Sequence, residues 1–147
     1  MLYEAKGPHR IAVIALLAIG ICGCAKSKLP GPSGTVSGTA TYQDKPIPDG
    51  STIVMVHNET GLIGTGVTNG SGAFRVRMRE GPQVLVGEYT VYVRPPGEPD
   101  ANAMELTLKN VPPAWKLVPK RYWMSNTSGE SFTVKEGRNI YNLVLRE

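Results

Sequence analysis

General acid–base chemistry near neutral pH calls for a histidine, and the chain has two, His9 and His57. His9 precedes an apolar run at the amino terminus. His57 falls in or at the end of a strand-like run. A serine nucleophile would need His57 beside it and a carboxylate behind it, but no Gly-x-Ser-x-Gly elbow occurs. Gly70-Ser71-Gly72 reads instead as part of a hairpin turn, so no catalytic residue is expected. Asp44, Asp49, Asn69 and Ser71 are oxygen donors in turns, as a calcium site would need. They are also the ordinary residues of turns, and neither a metal nor a cofactor is expected. Gly64-Thr65-Gly66 lacks a phosphate-binding frame. Cys22 and Cys24 stand two apart, a spacing shared by some metal sites, but neither has a partner cysteine elsewhere in the chain.

Two further groups have the chemistry to contact a ligand. Arg75, Arg77 and Arg79 alternate with Phe74, Val76 and Met78. Period-two spacing puts the three guanidiniums on one sheet face, where they would meet anionic glycans or lipid headgroups, or simply form a solvated face that discourages edge pairing. Trp115, Tyr122 and Trp123 bring both tryptophans of the chain close together. Exposed, such rings would serve a carbohydrate-binding module; buried, they would pin a proline-rich loop onto the domain. Large rings are costly to leave in water, and adjacent Tyr122 and Trp123 would point to opposite sides of an extended segment. The anchoring role is therefore the favoured expectation, with at least one tryptophan buried.

The whole chain has 147 residues and a net charge of +4, which suits one domain. Removing residues 1–23 takes away Lys6, Arg10 and Glu4 and leaves 14 basic against 11 acidic residues, a net +3. Such a mild balance aids contact with anionic surfaces but is no nucleic-acid signature.

The amino terminus reads as an address. Lys6, His9 and Arg10 precede an apolar run of 11 residues, 11–21. A membrane-spanning helix needs about 20, so the run fits a secretory signal peptide. Ile21-Cys22-Gly23-Cys24 resembles the lipobox of bacterial lipoproteins: an aliphatic residue, two small residues, then the cysteine that receives lipid. The resemblance implies a thioether-linked diacylglyceryl group on Cys24, cleavage before it, and a fatty-acylated protein on the non-cytoplasmic side of a membrane of the cell envelope. The expected divisions are a signal-peptide helix over 1–23, a flexible tether over 24–34 and a domain over 35–147.

The domain reads as all-β, an immunoglobulin-like or transthyretin-like sandwich of about seven strands. Residues 36–42 alternate, with Val36, Gly38, Ala40 and Tyr42 on one face. Residues 52–57 are more continuously apolar and so central. Strands follow over 62–68, 73–78 after the turn Asn69-Gly70-Ser71-Gly72, and 87–93. A terminal hairpin joins 131–134 to 139–145. No ten-residue segment has a helical period. The stretch 94–130 holds six of the twelve prolines and is long for a loop; residues 103–108 suit a short strand within it.

Three ordered pieces carry a second resemblance. Residues 38–50, Gly-Thr-Ala-Thr-Tyr-Gln-Asp-Lys-Pro-Ile-Pro-Asp-Gly, resemble the opening of carboxypeptidase-regulatory-like domains. Residues 68–74 and 81–91 are similar to their Gly-containing turn and following strand. The ending from Val118-Pro119-Lys120-Arg121-Tyr122 onward is similar to that of small bacterial lipoproteins with this domain. Asn69 stands where the family often has Asp. The resemblance implies a non-catalytic structural or protein-interaction module, with the membrane, and an envelope protein or a glycan, as partners. Transthyretin-like hydroxyisourate hydrolases share the fold class, but their terminal Tyr-Arg-Gly-Ser motif is absent, and this chain ends Leu-Val-Leu-Arg-Glu.

Overall fold

The computed structural model describes residues 29–96 and 111–147. The expected signal-peptide helix, Cys24 and the strand expected over 103–108 lie outside the described residues. Within them, eleven short strands run in chain order: β1 (Ser33–Tyr42), β2 (Lys45–Pro46), β3 (Thr52–His57), β4 (Ile63–Val67), β5 (Ala73–Arg75), β6 (Arg77–Met78), β7 (Val84–Leu85), β8 (Gly87–Arg94), β9 (Glu130–Val134), β10 (Gly137–Ile140) and β11 (Leu143–Leu145).

They form an all-β sandwich. In the first sheet β1 is the spine. Along one side it pairs antiparallel with β7, β5 and β2; along the other it pairs parallel with β10 and β11. The second sheet is antiparallel throughout, in the order β6-β4-β3-β8-β9. The apolar run of β3 is indeed central, between β4 and β8. The inward face of β8, Tyr89, Val91 and Val93, is fully buried. These residues meet Val36, Ala40, Leu143 and Leu145 of the first sheet in one core. β-Branched residues at inward positions suit a pleated surface packed on one side.

Several sequence-based boundaries need correction. The strand expected over 73–78 is two strands: β5 pairs with β1, whereas β6 pairs with β4 in the other sheet. Val76, wholly buried, sits at the crossing and donates its N–H to Val36 O at 2.9 Å. The expected terminal hairpin is likewise a crossing, because β9 pairs with β8 and β10 with β1. Asn139 holds that turn: its Oδ1 accepts from Lys135 N at 2.9 Å and its Nδ2 donates to Lys135 O at 2.8 Å. Ordered contacts also precede residue 35. Ser33 and Gly34 belong to β1, Val86 N donates to Pro32 O, and Leu29 packs against the core.

At Gly38 the backbone of β1 passes close to that of Tyr141, between β10 and β11. A Cβ at this position would lie 1.8 Å from Tyr141 O, so only glycine lets the two backbones meet. Gln43 and Asp44, with φ of 50° and 60°, make the two-residue turn from β1 to β2. Positive φ at both central residues is what matches the twist of a tight hairpin.

Two core tyrosines give the fold an alkaline limit. Tyr89 donates its hydroxyl to Leu85 O at 2.7 Å, and burial pushes its pKa up to about 12 from the ordinary 10.0. Burial raises Tyr141 as well, assisted by the Glu130 carboxylate and by Tyr122. A phenol whose folded-state pKa is raised keeps its proton longer than the unfolded chain does. Its stabilising contribution is therefore complete below pH 10 and is lost between about pH 10 and about 12. Urea unfolding midpoints should fall across that window, and Tyr89→Phe should flatten part of the fall. Midpoints unchanged up to about pH 12 would contradict this reading.

Candidate functional site

The proline-rich connection closes one end of the sandwich. Pro113 starts a 3₁₀ turn (Pro113–Leu117), its ring pre-setting the backbone for a helical first position. A second turn covers Lys120–Trp123, and α1 (Ser125–Ser128) ends on Gly129 in the left-handed region. Three anchors fasten it to different strands. Trp115 Nε1 donates to Ser51 Oγ at 2.9 Å, beside the start of β3. Tyr122 Oη accepts from Arg146 N at 2.9 Å, just past β11. Ser128 Oγ donates to Val91 O of β8.

Trp115, Tyr122 and Trp123 are 0, 1 and 5 % exposed. The two indoles meet edge-on with centroids 5.6 Å apart, a favoured aromatic geometry. The rings are therefore brought together, but as an interior wedge, and none of them is presented as a sugar platform. The expectation that Tyr122 and Trp123 face opposite ways assumed an extended segment. In a 3₁₀ turn of about three residues, both can turn inward. Arg121 stacks over the Tyr122 ring at 4.5 Å and bonds Arg146 O, sealing the rim. Trp123 Nε1 and Tyr141 Oη are buried without a hydrogen-bond partner among the described residues.

His57 also lies inside the domain. It is buried, and its ring meets Tyr89 edge-on at 5.0 Å. Nε2 lies 3.1 Å from Val86 O, which can only accept, so the proton sits on Nε2. Nδ1 accepts from Thr60 N at 3.2 Å and lies 3.1 Å from Thr60 Oγ1. Gly87 makes room for it, since a Cβ there would lie 2.2 Å from Nε2. Ser71 is held elsewhere: its hydroxyl donates to Asn69 Oδ1 at 2.7 Å. That same oxygen accepts from Ser71 N and Ala73 N. Asn69 is thus committed to shaping its turn, and His57 and Ser71 do not form a base–nucleophile pair.

The three arginines are exposed, as their alternation requires, but they do not share a sheet face. Arg75 is in β5 opposite Ser37 of the first sheet; Arg77 is in β6 opposite Thr65 of the second; Arg79 lies beyond both strands. The chain changes sheets between them, which alternation alone does not reveal.

The first sheet has a polar outer face, whose β1 part, Ser37, Thr39 and Thr41, the alternation of residues 36–42 already places opposite Val36 and Ala40. Thr35, Ser37, Thr39 and Thr41 of β1 alternate with the inward Val36 and Ala40. Register places Arg138 beside Thr35, Ile140 and Arg75 on either side of Ser37, Ala73 beside Thr39, and Val144 and Pro46 on either side of Thr41. Asn142 Oδ1 accepts from Thr39 N and Thr39 Oγ1 in the gap between β10 and β11. The exposed positions 138, 140, 142, 144 and 146 alternate with the buried 139, 141, 143 and 145.

No protein-family model matches the chain, and no curated protein is significantly similar to it. Among solved structures, the chain is similar to a DUF3823 family protein from Parabacteroides merdae, at 16% identity and a TM-score of 0.45. The similarity covers 78% of this chain and 46% of that one, so the chain spans about half the length of the protein it matches.

Proposed function

We propose that the chain is a lipoprotein of the cell envelope, tethered through lipid on Cys24, whose β-sandwich is a non-catalytic structural or protein-interaction module. One observation carries the proposal: a positive segment and an 11-residue apolar run lead directly into Ile21-Cys22-Gly23-Cys24. That order suits export followed by lipid attachment at the last of these residues. The non-catalytic part is supported by His57, whose two ring nitrogens face Val86 O and Thr60. The carbohydrate-binding alternative drew on exposed rings at Trp115, Tyr122 and Trp123, and their burial takes that support away.

Metabolic labelling with a palmitate analogue tests the tether. Wild type and Cys22→Ala should be labelled, and Cys24→Ala should not. One acyl chain binds a membrane only marginally and two or more bind it stably, so Cys24→Ala should also leave the membrane fraction. Equal labelling of wild type and Cys24→Ala would overturn the proposal.

A further inference from the structure

We propose that the outer face of the first sheet is a docking surface for an acidic, carboxylate-bearing polysaccharide. The inference concerns the domain's own surface and stands whether or not Cys24 carries lipid. Three exposed arginines frame the face. Arg138 flanks Thr35, Arg75 flanks Ser37, and Arg146 follows Leu145 at the far end. Among the described residues none of these three guanidiniums makes an ion pair or a hydrogen bond. The paired positions from the Thr35 row to the Thr41 row hold no Asp or Glu. The adjacent acids, Glu136, Asp44 and Glu147, lie in the bounding turns and at the terminus, and Glu147 already accepts from Gln43 Nε2 at 3.0 Å. The face therefore presents unneutralised positive charge.

Spacing identifies the kind of anion. Arg138 and Arg146 are eight positions apart along one edge, roughly 26 Å at about 3.3 Å per residue. Arg75 lies two strands across, roughly 10 Å away at about 4.8 Å per strand. No small anion bridges such distances; a polymer lying along β1 does. Between the arginines stand the hydroxyls of Thr35 and Ser37, about 6.6 Å apart, and that of Thr41, about 13 Å further on, past Thr39, which is bonded to Asn142. The hydroxyls of Thr35, Ser37 and Thr41 make no hydrogen bond among the described residues, so they are free to donate to and accept from sugar hydroxyls. Ile140 and Val144, 53 and 48 % exposed, offer apolar contact to the C–H faces of a sugar chain. Guanidinium recognises carboxylate through paired parallel hydrogen bonds. Each exposed contact is weak, and binding comes from engaging several on one chain.

The test uses the full chain in detergent, with immobilised polygalacturonate against neutral dextran as probes. The wild type should retain polygalacturonate in preference to dextran and lose it as salt is raised. Arg75→Gln/Arg138→Gln/Arg146→Gln should weaken binding about 10-fold, roughly 2-fold per exposed charge. Arg77→Gln/Arg79→Gln, off this face, should change it less than about 2-fold. Thr35→Val/Ser37→Ala should weaken it about 3-fold by removing sugar hydrogen bonds without removing charge. Thermal melts confirm that each variant is folded. Binding no better than to dextran would overturn the proposal. So would an equal loss in the two arginine variants, which would mean undirected charge, or binding to anionic phospholipid vesicles and not to polygalacturonate, which would assign the face to a membrane.

Discussion

Trp115→Ala should lower the unfolding free energy by about 3–5 kcal/mol, the range for removing a buried large aromatic. Trp115 is wholly buried, packs edge-on to Trp123 and bonds Ser51 Oγ. Its removal leaves a void at the end of the sandwich and unfastens the 111–129 segment from the start of β3. Domains are typically stable by only about 5–15 kcal/mol, so the variant should be marginal. Denaturant titration checks this, with Arg79→Ala as the surface comparison, expected within about 0.5 kcal/mol of wild type. A loss under about 1 kcal/mol, far below the usual cost of such a truncation, would mean that the rings do not anchor the loop.

Gly38→Ala should cost at least about 3 kcal/mol, more than overpacking usually does. The added carbon would fall 1.8 Å from Tyr141 O and 2.5 Å from Tyr141 C, both backbone atoms that no rotamer change can move. β1 and the β10–β11 edge would have to part, and with them the parallel pairing that joins the two ends of the domain. Gly70→Ala is the matched comparison: nothing lies within 4 Å of a Cβ there and its φ is not positive. It should stay within about 0.5 kcal/mol of wild type. If both alanine variants unfold at the same denaturant concentration, the close approach at Gly38 is not what holds the strands in register.

The part of the fold that sequence made legible is the part governed by local alternation. The β3 span, Thr52–His57, was readable residue for residue because its apolar run is bounded by turns, and the inward Tyr89, Val91 and Val93 of β8 followed from period two. Sheet membership was not readable. Residues 74, 76 and 78 stay buried and 75, 77 and 79 stay exposed across the crossing at Val76, so the pattern is the same whether the strand continues or changes sheets. The same holds where β9 gives way to β10. The three two-residue strands, β2, β6 and β7, are too short to show a period at all.

The candidate site divided in a similar way. That at least one tryptophan would be buried followed from the cost of hydrating large rings. Their meeting depended on two 3₁₀ turns whose prolines mark a break but not a direction. Arg75 was visible as a cation; its companionship with Arg138 and Arg146 required knowing that the carboxyl-terminal strand lies parallel to β1. That pairing joins residues about a hundred positions apart, and no local signal encodes it.

The mass of the mature amino terminus tests the proposed lipid anchor most directly. The chain should be expressed in a bacterium that processes lipoproteins, extracted from membranes and analysed as the intact protein and as its amino-terminal peptide. The expected result is a chain beginning at Cys24 that carries a diacylglyceryl adduct on the sulfur, with Cys24→Ala giving no such species. A mature chain that begins elsewhere, or one that begins at Cys24 with an unmodified thiol, would contradict it.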